Sequence, residues 1–407
     1  MDAAHPHGSG TVEEDGDVGL GRAGLIGVHL AFLPAGAGLA MYGPTLPEFA
    51  ARYGLTAGEV GAIIGTHSLA TLVGVLAWVL VGPRPHPAAP GAVWVSLLGA
   101  GFFGIASAAS WPLTLGSAAL VGLGFGALVV TLNMWITRAY DRHRVTVLAS
   151  TSAVFGVGAV AGPGAIGLLG PAEYAAAYAF FAALALLAGL LLAFVALRSA
   201  PPPPVVAQAV SFTRGRAPLV AAFMVVLALY VGLESGIGGW LATYLIGLGA
   251  TPAAAASATA WFWVSFTLGR GAGAFIAHRI PEQRLLPLQL AGATVVLLVA
   301  LWPGAAVAMF VAVGVVIALV FPTLLSWFTR VFGQPTLSVA LLFSSGSIGA
   351  ALLPPLIGVL VDVFGVAAIP ISLAVAAGVG TLIALALGVV LGRDEARRRN
   401  AAVAVGR

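Results

Sequence analysis

The chain contains no cysteine and no lysine. The first absence excludes disulfides and thiolate metal sites. The second leaves all 18 basic positions to arginine. Charge of either sign is scarce: 8% of the 407 residues, where a globular domain carries about a quarter. A chain of this length could hold two or three soluble domains, but apolar residues make up 60% of it and the charge deficit gathers into long stretches. Seven scattered histidines and an absence of paired deep carboxylates speak against a membrane enzyme. No enzymatic activity, cofactor or metal is expected. The acidic opening (Asp2, Glu13, Glu14, Asp15, Asp17) lacks the basic start of a secretory signal, so the first apolar stretch is expected to stay in the mature protein.

Twelve apolar stretches are present, at about residues 23–50, 59–82, 92–110, 113–137, 146–169, 174–197, 217–247, 252–277, 285–302, 304–329, 336–361 and 366–392. Each is at or near the roughly 20 residues a helix needs to cross about 30 Å of hydrocarbon. Lipid offers backbone groups no partner, so only helices or closed barrels span it, and continuous apolar runs choose helices. The arginines set the orientation. With the amino terminus inside, nearly all fall on the cytoplasmic side, Arg52 alone lies outside, and Arg270 sits within span 8. The net charge of +4 therefore reports topology and not nucleic-acid binding.

The chain also repeats itself. Trp-Ile-Thr-Arg at 135–138 returns as Trp-Phe-Thr-Arg at 327–330, an offset of 192. GAVAGPGAIG from Gly158 returns as GAALLPPLIG from Gly349, and Gly74 and Arg84 fall on Gly269 and Arg279. Ordered matches at offsets of 191 to 195 indicate one duplicated unit, the usual build of a secondary transporter. The expected organisation is a disordered acidic tail (1–21), a six-helix bundle (22–198), a Pro-rich linker (199–216), a second six-helix bundle (217–392) and a basic tail (393–407).

Ionisable groups within the hydrocarbon are rare and usually functional. One clear carboxylate lies at depth: Glu234 of span 7, where an ionised group costs on the order of 3 kcal/mol. It can escape by taking up a proton, as a proton-coupled carrier requires, or it can hydrogen-bond a neighbouring helix and hold a bend. Tyr230, Trp240 and Tyr244 share its half of the helix. They either line a cavity with it or, for the latter two, anchor at the interface. Gly236, Gly238 and Gly239 either loosen this helix or let neighbours pack close. Asn133, Ser152 and His29 are further candidates for the cavity, and His67 for proton relay. The sequence reading makes Arg270 structural, tying the inner ends of helices to loop groups, and groups it with Arg84 and Arg279 as a cytoplasmic gate.

These residues resemble the major facilitator superfamily, and within it YVGLESGIGGWLATY of span 7 is similar to the branch holding the fucose permeases and related sugar:proton symporters. GLGFGALVVTLN, FGVGAVAGP and LGRGAGAFIAHR match as well. The resemblance implies an all-α membrane protein of two pseudo-symmetric six-helix bundles with both termini cytoplasmic, in the plasma (inner) membrane. It implies alternating access, with a proton (or sodium) as coupling ion, a small-molecule substrate such as a sugar, and no partner beyond lipid, as a monomer. Val129 stands where the branch usually has an acidic residue, so coupling falls to Glu234. The Gly-Pro of span 5 also fits drug:proton antiporters, which makes export of a hydrophobic compound the alternative.

Overall fold

The computed structural model describes residues 20–81, 86–140, 142–198, 216–277, 279–333 and 336–405. The first half holds α1 (Gly21–Ala40), α2 (Tyr42–Tyr53), α3 (Ala57–Val81), α4 (Ala88–Ser107), α5 (Trp111–Ala139), α6 (Arg144–Leu169) and α7 (Tyr174–Arg198). The second holds α8 (Ala217–Gly247), α9 (Pro252–Ala277), α10 (Glu282–Val299), α11 (Ala306–Ile317), α12 (Val320–Phe332), α13 (Thr336–Phe364) and α14 (Ala368–Val405). Most of the acidic opening and of the Pro-rich linker lies outside the described residues, as does Arg84.

Two spans are each made of two helices, and proline explains both breaks. Pro44 has no N–H for the Ala40 carbonyl, and the chain breaks at Met41 between α1 and α2. Pro322 does the same to the Ala318 carbonyl, between α11 and α12. Ten stretches among the described residues are long and apolar enough to cross a membrane. The other two spans are α9, diluted by Ser257, Thr259, Ser265, Thr267 and Arg270, and α10, which opens on Glu282, Gln283 and Arg284. The last helix does not stop at residue 392; its backbone continues through the basic stretch to Val405.

The duplication is visible in how helices touch. A Cβ on Gly158 of α6 would run into the Leu33 carbonyl of α1, and one on Gly349 of α13 into the Ala228 carbonyl of α8. Gly122 of α5 lies against the His67 carbonyl of α3 in the same way, and Gly314 of α11 against the Phe262 carbonyl of α9. Trp135 packs on Gly24 near the start of α1; Trp327 packs on Phe223 near the start of α8, with ring centroids 5.2 Å apart. Small residues let membrane helices approach until backbones touch, and both halves use the same crossings.

The halves meet through α3 with α13, α6 with α9, and α1 and α2 with α8. These contacts gather toward the face away from the chain termini. There the Asp362 carboxylate at the end of α13 accepts hydrogen bonds from the Ala57 and Gly58 amides of α3, at 2.8 and 2.7 Å. Thr56 and Glu59 complete a capping box on the same helix start. Toward the termini face the halves part, leaving a cavity between α6 and α9.

Candidate functional site

The site begins on α8. Tyr230 and Glu234 are one turn apart, and on the neighbouring helix α9 Arg270 completes a group with the Tyr230 hydroxyl beside both charges. Tyr230 is 1% exposed, and its hydroxyl lies near both charges yet has no well-formed hydrogen bond among the described residues. No direct ion pair joins Glu234 to Arg270. The guanidinium stacks over the Phe266 ring, 4.3 Å from its centroid. Arginine cannot shed its proton in a protein, so within a membrane its charge demands an anion or a polar lining nearby.

Arg270 lines two connected spaces. One, of about 350 Å³, is walled by Ala149, Ser152, Phe155 and Gly156 of α6 and by Trp263, Phe266 and Thr267 of α9. The other, of about 650 Å³, opens toward the termini face between Arg279, Glu282, Pro322, Thr323 and Ser326. In the second space Glu282 is already engaged, by Arg330 at 3.1 Å and the Ser326 hydroxyl at 2.8 Å. The indole N–H of Trp263, buried against α8 at Gly238, also has no acceptor among the described residues.

Other sequence candidates fall elsewhere. Trp240 is fully buried and donates to the Pro354 carbonyl at 2.8 Å, wedged against Gly61 and Gly358. It belongs to the closure between the halves, neither in the cavity nor at the membrane interface. Tyr244 donates to the Ala300 carbonyl at 2.8 Å and packs on Phe310, inside the second half. Asn133 is half-buried on α5, which does not border the α6/α9 cavity. His29 joins α1 to α6 through Ser150 at 2.9 Å. His67 is buried and bonded to the Tyr42 hydroxyl at 3.2 Å. Ser152 does line the cavity, although its hydroxyl donates to the Leu148 carbonyl. Arg279 lies at the mouth of the larger space. Arg270 is not tied to loop groups: it faces the cavity and Glu234. The glycines of α8 do not unwind it; the helix is continuous, and Gly236, Gly238 and Gly239 admit Leu373, Trp263 and Ile64.

The residues missed are those of the α9 wall: Trp263, Phe266 and Thr267, which with Arg270 follow the i, i+3, i+4, i+7 spacing of one helix face. That spacing was available in the sequence.

Twelve spans among the described residues, in two crossing-matched halves with a largely apolar pocket holding Arg270 between them, define a multi-pass membrane protein of the transporter type. The chain belongs to the Major Facilitator Superfamily, whose family model matches residues 28–337. No curated protein matches the sequence. Among solved structures, a bacterial homologue of the human lysosomal transporter Spinster, in an inward-facing and occupied conformation, is similar with a TM-score of 0.74 at 16% identity, over 91% of this chain and 96% of that one. A D-xylose-proton symporter is similar at 0.72 and 12% identity, over 90% and 96%. A peptide transporter (POT) mutant bound to alafosfalin is similar at 0.73 and 14%, over 91% and 94%. At such identities the likeness is one of fold.

Proposed function

We propose that this protein is a secondary active transporter of the plasma (inner) membrane that moves a small molecule by alternating access, driven by protons taken up and released at Glu234, in the symport direction. The observation that carries it is the facing of Glu234 and Arg270 at mid-depth without a direct ion pair, with the Tyr230 hydroxyl beside them. The carboxylate can be neutralised by a proton; the guanidinium cannot. Their attraction is strong in a medium of low dielectric, so protonating Glu234 changes what Arg270 needs.

The arginine bias supports assigning the termini face to the cytoplasm. On that assignment the halves are joined outside, by Asp362 on α3, and the α6/α9 cavity supports a parting toward the inside. Proton coupling of a small molecule is also what the D-xylose-proton symporter of the same fold is named for. A sugar as substrate rests on the likeness of the α8 string to the fucose permease branch. A second reading, proton-driven export of a hydrophobic compound, is favoured by the aromatic walls Phe155, Trp263 and Phe266.

The test is transport in proteoliposomes with an imposed pH gradient. Glu234→Gln, which mimics the protonated carboxyl, is expected to abolish gradient-driven accumulation while substrate binding persists. Accumulation against a gradient by the Gln variant would place coupling elsewhere. Substrate moving with protons supports symport; substrate moving against them supports export.

A further inference from the structure

We infer that the substrate is a small organic monocarboxylate with an apolar body, its carboxylate seated on Arg270 and its body between Phe155, Trp263 and Phe266. This deepens, and rests on, the transport reading above.

Three observations carry it. First, the one charged side chain lining the cavity among the described residues is a cation. Arg270 is exposed to that cavity and has no carboxylate in direct contact, with the Tyr230 hydroxyl beside both it and Glu234. A planar guanidinium matches a carboxylate in a two-pronged bond. Second, the walls suit an apolar body and not a polyol. Alanine, glycine and aromatic side chains dominate, Ser152 spends its hydroxyl on Leu148, and only Thr267 adds another. A neutral hexose would bring several hydroxyls with few partners, each costly to bury unbonded. Third, the larger cavity on the other side of Arg270 also presents Arg279, while its carboxylate Glu282 is held by Arg330. Two positive charges at such a space, unpaired among the described residues, draw anions.

Coupling follows from charge balance. In the empty site the Glu234 carboxylate balances Arg270. A proton on Glu234 removes that negative charge, and the substrate carboxylate replaces it. The loaded site thus carries the same net charge as the empty one, and one proton travels with one monoanion. Of the helices packed on α8, α9 alone brings a charge to Glu234 among the described residues. Tyr42 of α2 is bonded to His67 of α3, and His29 of α1 to Ser150. Arg330 of α12 is paired with Glu282. Asp362 of α13 is held on α3 at the far face, and Arg22 at the start of α1 and Arg393 in the last third of α14 lie toward the termini face.

The experiment uses the purified full-length chain, thermal shift and tryptophan-fluorescence titration at pH 6 and pH 8. The probes are benzoate and phenylacetate, their neutral amides, and the hexoses fucose and glucose. The carboxylates are expected to bind, about tenfold more tightly at the lower pH, a difference of about 1.4 kcal/mol; amides and hexoses are not. Arg270→Gln should lose carboxylate binding and Arg270→Lys should keep a weakened part of it. Glu234→Gln should bind carboxylates with equal strength at both pH values, a gain that a misfolded variant cannot mimic. Amides or hexoses binding as well as carboxylates, no carboxylate response in the unaltered protein, or carboxylate binding untouched by Arg270→Gln would overturn the inference. If a pH gradient accumulates a neutral hexose while carboxylates are ignored, the transport reading stands and this one falls. Carboxylates that bind as described but never cross leave this inference standing and remove transport.

Discussion

Glu282 sits where two influences oppose. Burial alone would raise its carboxyl, but hydrogen bonds from its own backbone N–H and from Ser326, with the Arg330 charge, outweigh burial and hold it below the usual carboxylate range. A depressed folded-state value means that the stabilisation is present above the unfolded value, near 4.3, and is lost as pH falls through the folded one. The pair is partly exposed, so its worth is at most about 1 kcal/mol. Glu282→Gln is therefore expected to lower Tm slightly at pH 7, by a difference that shrinks as pH drops below about 4; a difference that grows on acidification would contradict the assignment. At this scale residue types are legible in the sequence but depths are not. Trp240 and Tyr244 share a side of α8 with Glu234, yet at 1.5 Å per residue they stand about 9 and 15 Å along the axis. Sharing a face is not sharing a depth, and both find carbonyl partners where they are. The setting of Arg270 is hidden for a related reason: its counter-charge is 36 residues away on another helix, a pairing no local pattern reports.

At the scale of elements, the twelve spans were legible because scarce charge leaves so few ways to interrupt them. The proline breaks at Met41 and Ala318 were not, since proline inside a membrane helix more often bends it than ends it. Glycine positions sort by what a methyl group would meet. Gly158→Ala and Gly349→Ala must push a neighbouring backbone carbonyl aside, and each is expected to cost on the order of 1–3 kcal/mol. Gly116 of α5 and Gly164 of α6 have open space, so alanine there should stabilise by about 0.5–1 kcal/mol. Thermal melts of the four variants check this, and equal effects at all four positions would refute it. The Asp362 bonds make a separate prediction. Two amide bonds to a carboxylate at a helix start contribute about 1–2 kcal/mol to the closed face. Asp362→Ala should shift the population toward states open at that face by roughly 5–30-fold. Because the chain has no cysteine, single thiols added near Gly61 report that opening without background labelling. Unchanged labelling would show that the bonds do not govern closure.

For the whole molecule, the matched crossings of the two halves follow directly from the repeated Gly, Pro and Trp positions. The site does not repeat. Glu234 and Arg270 both belong to the second half, and their first-half equivalents, 195 positions earlier, are Leu39 and Val75. A duplicated frame thus carries a single-copy charge pair, and the asymmetry extends to the seams between the halves. Where α13 meets α3, Asp362 reaches across; where α6 meets α9, the position 191 residues earlier is Pro171, and α9 caps itself through Thr251. Beyond its cavity that second seam is held by packing, with Gly156 against Thr267 and Gly167 against Ser257, and by no hydrogen bond across it among the described residues. The molecule is hung like a door, bolted along one edge and hinged along the other. Spin-label pairs spanning α3 and α13 should therefore show broad, ligand-sensitive distances, while pairs spanning α6 and α9 keep a narrow one.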